Sequence, residues 1–348
     1  MTTGHPKLPR APLHATHPGQ VKKTGRRILI VSKNGMLTWH VSLQAAFASL
    51  GIETRFSSVN SSGVPDLLER LRHGRKHLLS RSIIRRLCIT AGHFQPDLIL
   101  TLVSVFPNHI LPELDARMSR RPLLASWPSD CPLPDHAQQF VKHDAFFSFD
   151  SALNAPARCF VHNEKQVIPL PLAFDPHQYH PLPETPVTHD VLFAGSCSAA
   201  RMKFVAQLRT NGIPVTAYGF EWPKGVLKLP QSRQSHAQIN RHLNASRIVL
   251  NHQQQPNTVN GLNLRAFEAT GAEAFLLTPN VADLPACFEP NREIIAYRSM
   301  DELADLIQRG LKDAAWARRI AEAGHRRALA EHTFDHRART IARHFGWL

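Results

Sequence analysis

Residues 257–271, NTVNGLNLRAFEATG, gather a glycine, an arginine and a carboxylate around one helix start. Before them, residues 247–251 (RIVLN) have the β-branched content of a buried strand. After them, residues 274–278 (AFLLT) read as the next strand. Gly261 admits a backbone conformation closed to residues with side chains, and the helix after it turns its first free N–H groups toward the loop. A phosphate fits such a place. Glu268, one turn into the helix, offers two acceptor oxygens to a vicinal diol such as a ribose, and Arg265 presents a fork of donors to a diphosphate. The plain alternative is a solvated i,i+3 ion pair, with Phe267 as core.

Outward from this stretch the pattern repeats. Residues 26–32 (RRILIVS) form an apolar run followed by a turn at Lys33, Asn34 and Gly35, a helix ending at Gly51, and a strand over 52–57. Strand, helix and strand of this length open a doubly wound sheet. Residues 97–105, 123–127 and 145–149 supply further strands of a first lobe over 26–172. Residues 169–188 contain six prolines and read as an extended connector, with 173–188 as the linker proper. A second lobe over 189–332 starts with the strand 191–194, turns at Gly195 and Ser196, and runs a helix to Gly212 before the strand 215–218. Ser299 and Glu302 have the spacing of a capping box. The last helix, 333–345, has no strand to follow it.

The length of 348 residues suits two domains of about 150 residues each. Forty-one Lys and Arg against 27 Asp and Glu give a net charge of +14, which attracts anions without choosing among them. Five scattered cysteines without a C-x-x-C pair fit reduced thiols in the cytoplasm. The apolar run 98–106 is broken by Thr101 and Ser104, short of the roughly 20 residues that cross a bilayer. Residues 1–25, rich in Pro, His and Lys, read as a disordered tail. Residues 67–87 carry leucines at helical spacing with seven Lys or Arg between them. They form either a core-packed helix with a basic rim or a peripheral contact with anionic lipid at the inner face of the membrane. Charge alone supports a nucleic-acid partner, and the chain lacks the aromatic interleaving or helix-turn-helix signal that would carry that reading.

The order N-x-R-x-F-E at Asn263, Arg265, Phe267 and Glu268 is followed by DLPACFEPNREIIAYRSMDELADLI and AEAGHRRALAEHTFDHR, and preceded by DVLFAGSCSAAR, AYGFEW and VIPLPLAFDPHQYHP. Weaker echoes are FQPDLILTLVS and SWPSDCP. This series resembles the spore-maturation CgeB-type glycosyltransferases over nearly the whole chain after residue 25. The resemblance implies the GT-B architecture, two Rossmann-like lobes facing across a cleft, with the C-terminal helix 333–348 returning to the first. It further implies a nucleotide sugar, UDP- or GDP-linked, bound by the second lobe, with no other cofactor. Glu268 matches the family's ribose carboxylate. The partner position eight residues earlier, commonly a glutamate that touches the donor sugar, is Asn260, which brings no negative charge.

Glycosyl transfer needs stabilisation of a departing diphosphate and a base for the acceptor. The chain contains no D-x-D pair to hold a cation, so the leaving-group charge falls to Gly195, Ser196, Arg201 and Arg265, which with Asn260, Gly261, Asn263 and Glu268 make up the expected nucleotide-sugar-binding set. Asp130, just past a strand end of the first lobe, is a candidate acceptor base or an Asx turn before Pro132. Asn34 and Gly35 line the acceptor side or form an ordinary turn. The histidine pairs His73/His77 and His332/His336 lack a third metal ligand in the sequence. The expected activity is transfer of a sugar to a glycan, lipid-linked or surface-protein acceptor without a metal ion. The rival is a non-catalytic nucleotide- or sugar-binding protein that keeps the fold.

Overall fold

The computed structural model describes residues 23–33, 39–60, 79–131, 133–219 and 235–348. The first lobe is built on a sheet of six parallel strands: β1 (Arg27–Ser32), β2 (Glu53–Ser58), β3 (Leu98–Thr101), β4 (Leu123–Ser126), β5 (Ala145–Ser148) and β6 (Val167–Pro169). Their order is β2-β1-β3-β4-β5-β6. Both faces are covered, which is why RILIVS and LILT read as continuous apolar runs. Helices α1 (Trp39–Ser49), α2 (Arg81–Phe94) and α3 (Ile110–Asp115) do the covering among the described residues.

The second sheet holds β7 (His189–Ala194), β8 (Val215–Tyr218), β9 (Ser246–Leu250), β10 (Leu276–Pro279) and β11 (Ile295–Tyr297), ordered β11-β10-β9-β7-β8 and again all parallel. Its helices are α4 (Ala199–Thr210), α5 (His236–Asn244), α6 (Leu264–Gly271), α7 (Met300–Lys312) and α8 (Ala314–Glu331), followed by α9 (Phe334–His344). In each sheet the chain reverses its direction of winding once, beside β1 in the first and beside β7 in the second. The carboxyl ends at such a reversal leave a crevice between diverging loops, where α/β proteins bind ligands. The anticipated two-lobed doubly wound fold is the observed one.

α9 returns to the first lobe. The Phe334 ring lies 6.4 Å from that of Trp39 and the His344 ring 5.6 Å from that of Phe147. Arg337, buried in α9, donates to the carbonyls of Pro171 and Leu172 in the connector. A Cβ on Gly271 would collide with the ring of Phe174, so α6 and the connector can approach this closely only through glycine.

Several local expectations are adjusted. The three-residue strands β6 and β11 are too short to leave an alternation in the sequence. Ser299 accepts from Glu302 N–H at 3.1 Å, but the Glu302 carboxylate reaches back to Arg298 N–H rather than to that of Ser299. Thr24, counted with the tail, donates its N–H to Gly51 O at 3.0 Å, while residues 1–22 lie outside the described residues. Of residues 67–87 only 79–87 are described. There Ser80 caps α2, and Leu79, Ile83 and Leu87 are buried against the first sheet. Among the described residues no helix is long and apolar enough to cross a membrane.

Candidate functional site

At the reversal point of the second sheet, β7 is followed by Gly195 and Ser196, and β9 by Asn251 and His252. Arg201 spans the two ends. Its Nη1 donates to Ser196 O at 3.0 Å and its Nη2 to His252 O at 3.2 Å. Burial first, then the nearby charge of Arg265, lowers its pKa to about 10, so it remains a cation at neutral pH. The same burial, with Arg201 beside it, lowers the His252 pKa and keeps that ring neutral. The turn is compact because a Cβ on Gly219, at the end of β8, would collide with the Gly195 carbonyl. Gly195 and Ser196 do not open the helix themselves. Ser198 does, accepting from Arg201 N–H at 3.3 Å.

α6 supplies the other side of the crevice. Its N-cap residue Asn263 does not cap, because its side-chain amide is turned to Asn251 Oδ1 at 2.9 Å, leaving the helix start without a side-chain acceptor. Arg265 Nε donates to Ala194 O at 3.3 Å, and its Nη1 lies 2.8 Å from Glu268 Oε2. The solvated-pair alternative fails here, since the two side chains are only 16% and 6% exposed. Glu268 also faces Tyr179 of the connector. Burial, followed by the Glu268 charge, raises the pKa of the Tyr179 hydroxyl, which stays protonated and lies 2.7 Å from His236 Nδ1.

The lobes meet over this region. Asp130, Ser129 and Trp39 of the first lobe and Arg201, Gln254, Asn257, Thr258, Asn263 and Leu264 of the second enclose a cavity of about 150 Å³. Asp130 lies past the carboxyl end of β4 as anticipated, facing the cleft with Arg201. An adjoining slot is lined by Trp39, Ser42, Tyr179, His236 and Glu268.

The loop 257–261 behaves differently from its reading in the sequence. Gly261 does not adopt a left-handed conformation; it is glycine because a Cβ would lie 2.7 Å from Phe149 O of the first lobe. Asn260 faces an open cavity of about 650 Å³ beside His252 rather than the one containing Asp130 and Arg201. Its amide donates to Ser151 Oγ of the first lobe at 3.0 Å. Asp150, 1% exposed, accepts the N–H groups of Val259 at 2.7 Å and Asn260 at 3.1 Å, and Asp283 of the second lobe accepts Ser151 N–H at 2.7 Å. Two carboxylates thus clasp the lobes in opposite directions.

Of the residues singled out from the sequence, Gly195, Ser196, Arg201, Asn263, Arg265 and Glu268 cluster at the reversal point, and Asp130 faces them. Asn34 and Gly35 lie outside the described residues. Trp39, Tyr179, His236, Asp150 and Asp283 were not foreseen. Scarcity was a usable signal for Tyr179. The chain has three tyrosines, and all are buried, with Tyr297 donating to Asn251 O at 2.8 Å beside the same crevice. The pair His332/His336 is not a ligand pair: His332 Nε2 meets Cys287 O at 2.8 Å and its Nδ1 meets Arg337 at 2.8 Å.

Residues 201–343 match the model of a family described as glycosyl transferase-like. No curated protein matches the sequence. Among solved structures, sucrose-phosphate synthase from Thermosynechococcus elongatus is similar with a TM-score of 0.61 at 13% identity, over 92% of this chain and 98% of that one. A glycosyltransferase from Rickettsia africae gives 0.61 at 11% identity, over 93% and 98%. HepE of Anabaena, in complex with UDP, gives 0.58 at 12% identity, over 92% and 100%. The likeness in structure shows the GT-B fold, and residues 201–343 of the second lobe are similar to a glycosyl transferase-like family.

Proposed function

We propose that the protein moves a sugar from a nucleotide-sugar donor, UDP- or GDP-linked, to a hydroxyl of a glycan, lipid-linked or surface-protein acceptor, without a metal ion. One observation carries the reading. Two half-buried arginines, Arg201 and Arg265, lie together at the reversal point, and Glu268 is the one carboxylate paired with either among the described residues. Uncompensated buried positive charge is costly unless an anion arrives, and a diphosphate in the crevice supplies it. The Anabaena relative is also known in complex with UDP-glucose, which supports a nucleotide sugar here. The fragments of the CgeB-type pattern support that subfamily.

In the reaction the acceptor oxygen bonds to the anomeric carbon as the bond from that carbon to the diphosphate breaks. Arg201 and Arg265 hold the charge that accumulates on the leaving group. Asp130, across the cavity, takes the acceptor's proton. Glu268 holds the ribose once its ion pair with Arg265 is shared with the nucleotide. The non-catalytic alternative draws on Asn260, whose amide bonds Ser151 rather than facing this cavity.

UDP or GDP at about 100 times its dissociation constant should stabilise the fold by roughly 2.7 kcal/mol, read as a melting shift. Glu268→Ala should lose that shift while remaining folded. An undiminished shift in the variant would remove Glu268 from the site. Slow hydrolysis of the nucleotide sugar by the purified protein separates an enzyme from a binder.

A further inference from the structure

Three residues that line the cavity between the lobes each carry a buried polar atom with no hydrogen-bond partner among the described residues: Trp39 Nε1, Arg201 Nε and Asn263 Oδ1. Trp39 is 4% exposed, so water does not substitute for a missing partner at its surface. Leaving such groups unsatisfied is costly, and the cost is retained only where something else completes them. The three are chemically different. An indole N–H can only donate, a guanidinium Nε–H is a charged donor, and an amide oxygen can only accept.

That combination narrows the ligand. A fully ionised phosphoryl group satisfies both donors but has no hydrogen for Asn263. An apolar group satisfies none of them. Neighbouring hydroxyls each donate and accept, so one can take the indole hydrogen while another gives its own to the amide oxygen. The arginine contacts the adjoining phosphate. Trp39 belongs to the first lobe, while Arg201 and Asn263 belong to the second, so the full set exists only when the lobes are together.

We infer that Trp39 is a specificity-determining residue that binds a hydroxyl of the transferred sugar through its indole N–H, with Asn263 accepting from a neighbouring hydroxyl. The inference rests on the donor reading above. Trp39 also has a packing role, 5.5 Å from the Trp127 ring and 6.4 Å from that of Phe334, so the test must separate the two.

Trp39→Phe keeps an aromatic ring and removes the N–H. Binding of UDP and UDP-glucose, and of GDP and GDP-mannose, is measured by calorimetry for both proteins. In the variant, affinity for the preferred nucleotide sugar should fall about tenfold while affinity for the bare nucleoside diphosphate stays within twofold. In nitrogen-labelled wild-type protein, the indole N–H signal absent from the variant should shift with the nucleotide sugar and not with the diphosphate. Equal losses for both ligands would reduce Trp39 to a packing role, and unchanged affinity together with an unmoved indole signal would also overturn the inference. If wild-type protein binds none of the four, the donor reading itself falls and this inference with it. Should Trp39→Phe not fold, the Trp39 indole signal, assigned through bonds in the wild-type protein, decides alone.

Discussion

His143 and His332 show how a buried side chain sets a condition on the whole fold. His143 is fully buried, with its Nδ1–H directed to Val141 O at 3.1 Å and its Nε2 accepting from Phe106 N–H at 3.3 Å. Burial lowers its pKa to about 4. His332 donates from Nε2 to Cys287 O and accepts at Nδ1 from Arg337; burial, then the Arg337 charge, lowers its pKa to about 3. Protonating either ring sets a new N–H against an existing donor. Both pKa values lie below the ordinary 6.5, so the unfolded chain binds these protons first. Stability is therefore full above pH 6.5 and falls as the pH drops toward 4, by up to about 1.4 kcal/mol per pH unit for each histidine. Urea unfolding of wild type and His143→Gln across pH 7 to 4 checks this. The variant should be less stable at pH 7 but show a shallower slope, and parallel curves would exclude His143 as a source of the acid sensitivity.

The loop 257–261 is an element whose conformation is set from outside itself. Its amides are capped by Asp150 of the first lobe, its glycine is required by Phe149 O, and Asn257 O accepts from Cys131 N–H at 2.8 Å. Asp150→Ala removes the acceptor for two cross-lobe N–H groups and for Ala152 N–H at 2.9 Å. Hydrogen bonds to a charged acceptor contribute about 1.5–3 kcal/mol, so the variant should lose on the order of 3 kcal/mol in thermal or denaturant unfolding. Its amides at Val259 and Asn260 should also exchange hydrogen faster. Exchange at wild-type rates in those two residues would show that the clasp does not hold the loop. Because the lobes meet through this loop, the variant also tests whether the element that presents α6 depends on lobe closure.

For the whole molecule, the +14 charge predicts attraction to anionic surfaces. The described part of residues 67–87 has its apolar face in the first-lobe core, which leaves arginines such as Arg81, Arg85 and Arg86 for any lipid contact. Binding to anionic vesicles should therefore be electrostatic, strong at low salt and released as ionic strength rises, with none to neutral vesicles. Sedimentation with both vesicle types measures it, and equal binding to neutral vesicles would mean that apolar residues insert.

Much of this architecture was legible in the chain. Runs such as RILIVS and LILT fix buried parallel strands because a strand covered on both faces must be apolar at every position. The helix carrying Arg265 and Glu268 was legible because a helix start and its neighbours are written within a dozen residues. Sequence by itself therefore determined two doubly wound lobes and the residues that gather at one reversal point. Only the tertiary structure decided that Glu268 is buried with Arg265 half-buried beside it, that Asn260 bonds across the lobes, that Gly261 serves close approach, and that Trp39, Tyr179 and Asp150 join the site. Those facts depend on how two separately wound sheets come together, bringing residues a hundred or more positions apart into contact. No local period or spacing records a distance between lobes.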